Sequence, residues 1–178
     1  SYSIFAVATK EYNIDLEKAK YFAGHSLGEY SALSSAGYLN FSETIKLLRT
    51  RGNAMQNAVR EGEGGMLAIL GSQIKIIEEI LDDNKDKFNV QIANDNSEGQ
   101  IVLSGKNKDL TELTDILKLK KIKNIKLPVS APFHCNLMGK ATKIMEEQIE
   151  KIKFEDSNMR LISNVTAEEI SNKEELKK

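Results

Sequence analysis

The chain has 178 residues, room for one full domain with a small inserted subdomain and too few for a multidomain assembly. Hydrophobic residues make up 40% and charged residues 29%, with 11 Gly and 2 Pro, a globular composition that excludes a fibrous or disordered chain. The formal net charge of −1 leaves no bulk basic charge to hold a polyanion, so no nucleic-acid partner is expected.

In chain order, the apolar pattern of Ile4, Phe5, Val7 and Ala8 predicts a helix ending near Tyr12, with a short turn from about Asp15. Tyr21-Phe22-Ala23, stopped by Gly24, reads as a short buried strand, and residues 27–35 as a helix behind it. Asn40 with Glu43 has the form of a capping box that opens a helix through about Val59, with Ile45, Leu47, Leu48, Met55 and Ala58 as its buried stripe. Gly62, Gly64 and Gly65 then interrupt the pattern. Residues 66–70, 74–81, 88–93, 100–104, 110–119 and 122–129 read β, α, β, β, α, β, with the Asn-, Asp-, Ser- and Gly-rich segment 94–99 as a hairpin loop. That order is the split βαβ, ferredoxin-like arrangement. A loop over 130–134, an amphipathic helix over 137–152 and a possible strand over 159–164 follow, and the last eight residues are charged with no closing element.

These elements predict an α/β fold: a hydrolase-like core of residues 1–61 and 130–178 with parallel strands, and a ferredoxin-like subdomain over 62–129. Cys135 is the single cysteine and there are two histidines, so neither an internal disulfide nor the usual zinc spacing can form and no metal is expected. The longest apolar stretches fall far short of the roughly 20 residues of a membrane span, and residues 1–9 lack a basic flank, so a cytoplasmic chain with no membrane contact is expected.

The segment that carries chemistry is Gly24-His25-Ser26-Leu27-Gly28, a GxSxG pattern between a predicted strand and a predicted helix. Such a turn forces the serine outward on a strained backbone while the helix aims free amides at the site, so Ser26 is a candidate nucleophile and the Leu27 N–H a candidate oxyanion donor. The competing reading is a plain glycine-rich turn. Serine needs a base. His25 adjoins Ser26 on a turn whose successive side chains diverge, which leaves His134, presented in a Pro-containing loop; the alternative is a structural histidine capping the next helix. Only four of the 25 basic residues are arginines, and Arg49, Arg51 and Arg60 fall on one predicted helix. Arginine there suits a bidentate clamp for a carboxylate or phosphate, against the reading of solvated helix charges. Met55, four residues from Arg51, shares its face and could pack against an acyl chain. Cys135 reads as a small buried residue rather than a nucleophile.

Gly24-His25-Ser26-Leu27-Gly28-Glu29-Tyr30, Arg51-Gly52 with Met55-Gln56, the 94–105 segment and Pro128-Val129-Ser130-Ala131-Pro132-Phe133-His134 together resemble four ordered motifs of the malonyl-CoA:acyl carrier protein transacylases and the acyltransferase domains of polyketide synthases. The resemblance implies that Ser26 is acylated by malonyl-CoA with His134 as base, and that Arg51 pairs with the malonate carboxylate. It also implies that Asn94 and Asn96 line the site and that Phe133 shapes the acyl pocket. No bound cofactor is expected: malonyl-CoA is the substrate, and phosphopantetheine arrives on the partner, acyl carrier protein. Family members carry a glutamine-containing loop upstream and a histidine-holding segment downstream of the residues matched, so the chain is expected to be an internal fragment; with no linker at either end, a monomer is expected. A serine hydrolase or thioesterase, with Asp95, Asp109 or Asp115 as the acidic partner, and a non-catalytic binding domain are the rival readings.

Overall fold

The chain combines helices and strands in an α/β fold, in a computed structural model that describes residues 1–170 and 172–177. Packing divides the chain into two compact units, one of Ser1–Arg51 with Met145–Lys178 and the other of Gly52–Ile144. The boundaries expected from sequence, 62 and 129, both lie inside the second unit.

In the first unit, α1 (Tyr2–Lys10) has no buried residue, and Ile4 and Val7 face outward. α2 (Leu27–Ser35) buries Ala32, Leu33 and Ser34. Tyr38, 1% exposed, donates its hydroxyl to the Met159 carbonyl at 2.6 Å, and the Glu155 N–H donates to the Tyr38 carbonyl at 2.9 Å. These bonds tie the end of α2 to the 155–159 segment over a core of Leu33, Leu39, Leu47, Phe154 and Leu161. The strand expected at 21–23 is a single parallel bridge between Phe22 and Leu161, with Tyr21 exposed. The strand expected over 159–164 shortens to β5 (Leu161–Ile162), paired antiparallel with β6 (Glu169–Ile170).

α3 (Phe41–Gln56) begins at the capping box: the Glu43 N–H donates to Asn40 Oδ1 at 2.9 Å and Asn40 Nδ2 to Glu43 Oε2 at 2.6 Å. It ends three residues before the expected Val59, so Arg60 is not on it, and two arginines rather than three share the helix. Its buried positions are Thr44, Leu47 and Ala54, while Ile45 is exposed. Thr44 can be buried because its hydroxyl donates back to the Asn40 carbonyl at 2.9 Å.

The second unit is built on β1 (Gly64–Leu70), α4 (Ile74–Asp83), β2 (Val90–Ser97), β3 (Gln100–Lys106), α5 (Asn107–Leu119) and β4 (Lys123–Lys126). The four strands form one sheet in the order β2-β3-β1-β4, every neighbouring pair antiparallel. Leu67 and Ile69 of β1 and Ile101 and Leu103 of β3, two apart on each strand, share one face and pack with Ile77, Ile80, Leu110, Leu113 and Leu117 of the two helices. Full burial of each such side chain stabilises the unit by roughly 1.5–3 kcal/mol. Segment 94–99 is not a loop: Asn94 to Ser97 continue β2 through two register irregularities, and only Glu98 and Gly99 turn. A 3₁₀ turn (Asn136–Met138) leads into α6 (Gly139–Glu150). Of the charged tail, Glu175–Lys177 forms a 3₁₀ turn, and Ser171 and Lys178 lie outside the described residues.

Candidate active site

Ser26 stands immediately before α2 with φ 53° and ψ −114°. L-residues adopt this region rarely, at a cost of roughly 1–3 kcal/mol, and such strain persists only where surrounding contacts impose it. The Gly28 N–H donates to the His25 carbonyl at 2.9 Å and the Glu29 N–H to the Ser26 carbonyl at 3.1 Å, which starts the helix directly behind the serine. Leu27 is the first helical residue, and an N–H at that position has no acceptor within its own helix. The two glycines of the motif have different duties. A Cβ on Gly24 would overlap the Gly28 carbonyl group and the Glu29 nitrogen, whereas one on Gly28 meets nothing within 4 Å. His25 is exposed.

Arg51, in the same unit as Ser26, donates from Nη2 to Ser26 Oγ at 2.8 Å, and its guanidinium carbon lies 6.0 Å from the centre of the Tyr30 ring. A half-buried cation therefore sits one hydrogen bond from the candidate nucleophile. Burial raises the Tyr30 phenol above its ordinary pKa; Arg51 opposes that rise and Glu29 adds to it. Asn164, which the sequence reading missed, and Glu29 of the serine motif complete the turn. Asn164 Oδ1 accepts from the Ser26 N–H at 2.5 Å, and the Asn164 N–H donates to Glu29 Oε1 at 2.9 Å.

The remaining predicted residues belong to the second unit. His134 is exposed, with φ 59°, in a loop fastened at several points. Ser130 Oγ donates to Gln56 Oε1 at 2.9 Å, Cys135 Sγ to the Pro132 carbonyl at 3.2 Å, and the Asn136 N–H to Gln91 Oε1 at 2.6 Å. Cys135 is half-buried. Pro132 is seated against Gly64, where a Cβ would overlap its ring. Met55 and Phe133 pack together on Ala54, Ala58, Met138 and Ala141. A cavity of about 560 Å³ is lined by Phe133, Ser130, Val129, Lys126 and Asn107 among others. Asn94 and Asn96 both lie on β2, the first half-buried and the second exposed. Gln56, part of the Arg51 motif, and Gln91, which the sequence reading missed, hold the His134 loop. Among the described residues no group of three or more His, Cys, Asp or Glu could hold a metal ion, and no helix is long and apolar enough to cross a membrane.

Residues 17–177 match the family model described as acyl transferase domain. The chain belongs to this acyl transferase family. It is 41% identical over 157 residues to the malonyl CoA-acyl carrier protein transacylase of Bacillus subtilis (strain 168), an alignment that takes in 87% of this chain and 50% of that protein. Among solved structures, the malonyl CoA-acyl carrier protein transacylase of Clostridium perfringens superposes with a TM-score of 0.88 at 37% identity, over 99% of this chain and 56% of that one. A malonyl-transacylase solved in complex with a type II PKS acyl-carrier protein superposes with a TM-score of 0.86 at 32% identity, over 99% of this chain and 59% of the other. The chain thus spans about half the length of the curated relatives it matches.

Proposed function

We propose that the protein of which this chain is part moves a malonyl group from coenzyme A to the phosphopantetheine thiol of acyl carrier protein, in fatty acid synthesis, through an ester on Ser26. The observation that carries the proposal is the strained Ser26, with the Arg51 guanidinium 2.8 Å from its hydroxyl oxygen. Relatives named malonyl CoA-acyl carrier protein transacylase support the acyl group and both carriers, and the relative solved with an acyl-carrier protein supports the acceptor.

In the first half-reaction His134 accepts the Oγ proton as Ser26 attacks the thioester carbonyl, and the Leu27 N–H donates to the developing oxyanion. The C–S bond breaks, and coenzyme A leaves as a thiol with the proton returned from His134. In the second half the phosphopantetheine thiol gives its proton to His134 and attacks the ester, and Ser26 recovers its hydroxyl. Arg51 receives the free carboxylate of malonate, a charge-assisted pair that an acetyl group leaves unmade. Met55, Phe133, Asn94 and Asn96 border the acyl group in this reading, supported for the first two by their shared apolar cluster. These steps use side chains, the Leu27 backbone N–H and the two thiol carriers. We read the first unit as a hydrolase-like core. The second holds a ferredoxin-like subdomain over 62–129, a reading supported by the antiparallel order β2-β3-β1-β4.

The test is malonyl transfer to phosphopantetheine-loaded acyl carrier protein, followed alongside release of free malonate. Transfer that depends on Ser26 and outruns hydrolysis supports the proposal. Malonate released as fast without carrier protein as malonyl is transferred with it would replace it with a thioesterase.

A further inference from the structure

We infer that Asn164, braced by Glu29, is a positioning residue that holds the Ser26 elbow in its reactive geometry; the inference rests on the reading of Ser26 as nucleophile. The direction of the Ser26 N–H is fixed by φ of that residue, and φ is where the strain lies, at 53°. The bonds that start α2, from the Gly28 and Glu29 amides, run to the His25 and Ser26 carbonyls and leave the Ser26 N–H unanchored. Asn164 Oδ1 captures it at 2.5 Å. Asn164 is in turn tied to the same elbow by its backbone, because its N–H donates to Glu29 Oε1 at 2.9 Å.

How Asn164 arrives there is also visible. Phe22 and Leu161 form the parallel bridge, flanked by bonds from the Phe22 N–H to the Arg160 carbonyl at 2.8 Å and from the Ile162 N–H to the Phe22 carbonyl at 2.9 Å. Two segments that run side by side are therefore joined twice, by backbone at residues 22 and 161 and by the Asn164 side chain at residue 26. The second join sets where Oγ points, and Arg51 Nη2 then finds it at 2.8 Å. Because the Ser26 N–H is committed to Asn164, the Leu27 N–H is left as the elbow amide for an oxyanion. Asn164 is exposed. Water can satisfy the Ser26 N–H when the side chain is removed, but water does not fix its direction, so aim is lost with little stability.

The experiment compares the full chain with Asn164→Ala, Asn164→Asp and Glu29→Ala. Three quantities are read: the labelling rate of Ser26 by a fluorophosphonate reagent, located by peptide mass; kcat and KM for malonyl-CoA; and the thermal midpoint. Asn164→Ala is expected to label roughly 10- to 100-fold more slowly, the scale of an ångström-sized misplacement. It should lower kcat with KM nearly unchanged and hold its thermal midpoint. Asn164→Asp keeps an acceptor oxygen and stays near the parent rate, and Glu29→Ala shifts the rate in the same direction as Asn164→Ala. Parent-like labelling in Asn164→Ala, an Asn164→Asp variant as slow as the alanine, or a loss that follows a fall in thermal midpoint would each overturn the inference. The reagent carries no malonyl group, so the two ideas fail separately. Asn164-dependent labelling without a malonyl adduct on the parent would refute the substrate and keep the inference; no labelling of the parent would overturn both.

Discussion

Replacing each glycine of the serine motif by alanine separates two roles that the motif alone does not distinguish. In Gly24→Ala the new methyl overlaps backbone, the Gly28 carbonyl group and the Glu29 nitrogen, with no flexible side-chain end to move aside. The first turn of α2 must shift, and overpacking of this kind destabilises by about 1–3 kcal/mol or more. In Gly28→Ala the Cβ meets nothing within 4 Å, and residue 28 is inside α2. Alanine is favoured over glycine in a helix and restricts the unfolded chain, so the variant gains about 0.4–1 kcal/mol. For a chain of this length 1 kcal/mol moves the thermal midpoint by roughly 2–4 °C, which places Gly24→Ala about 2–12 °C below the parent and Gly28→Ala about 1–4 °C above it. Thermal unfolding followed by circular dichroism reads both. Equal shifts of the same sign would show that the close approach at Gly24 does not set the elbow.

Arg51→Ala should abolish the preference for malonyl- over acetyl-CoA: a hydrogen bond to a charged group is worth about 1.5–3 kcal/mol, so kcat/KM for malonyl-CoA falls about 10- to 150-fold while the acetyl value barely moves. Steady-state kinetics with the two thioesters checks this. Burial holds the Tyr38 phenol above its ordinary pKa of 10.0, so the folded state keeps a proton that the unfolded state loses. Stability is then undiminished below pH 10.0 and falls as the pH climbs from there toward the folded value. Denaturant titrations above pH 9 should give a shallower decline in Tyr38→Phe, which also loses about 0.5–1.5 kcal/mol at neutral pH with its bond to the Met159 carbonyl. On α5, Leu113→Ala should cost about 2–5 kcal/mol and Leu119→Ala less than about 0.5, by the same titrations. The first residue is 0% exposed and the second 85%.

Features written in adjacent residues were legible in the sequence. The Asn40–Glu43 capping box has both of its hydrogen bonds, and the helix expected over 27–35 spans Leu27–Ser35. What failed depended on distant partners. Asn94 to Ser97 have turn composition, yet pairing with β3 extends them as strand. Phe22 lies in an apparent buried strand, but its backbone is recruited at one bridge only. Ile45 has the spacing of a core position and is left outward because Thr44, one residue earlier, takes the buried place with its hydroxyl satisfied by the helix backbone. At the candidate site, Ser26 and Arg51, both singled out from local motifs, lie one hydrogen bond apart. Asn164 is 138 residues from Ser26 and acts through one side-chain oxygen, and Gln91 meets the Asn136 N–H across 45 residues. Neither carries a local pattern that would mark it.

The most direct test of the central claim is the intact mass of the protein after brief mixing with malonyl-CoA in the absence of carrier protein, with acetyl-CoA and Ser26→Ala in parallel. The account predicts one malonyl-sized adduct, absent from Ser26→Ala and weak with acetyl-CoA. Release of coenzyme A with no adduct on Ser26, or an adduct that survives in Ser26→Ala, would contradict it.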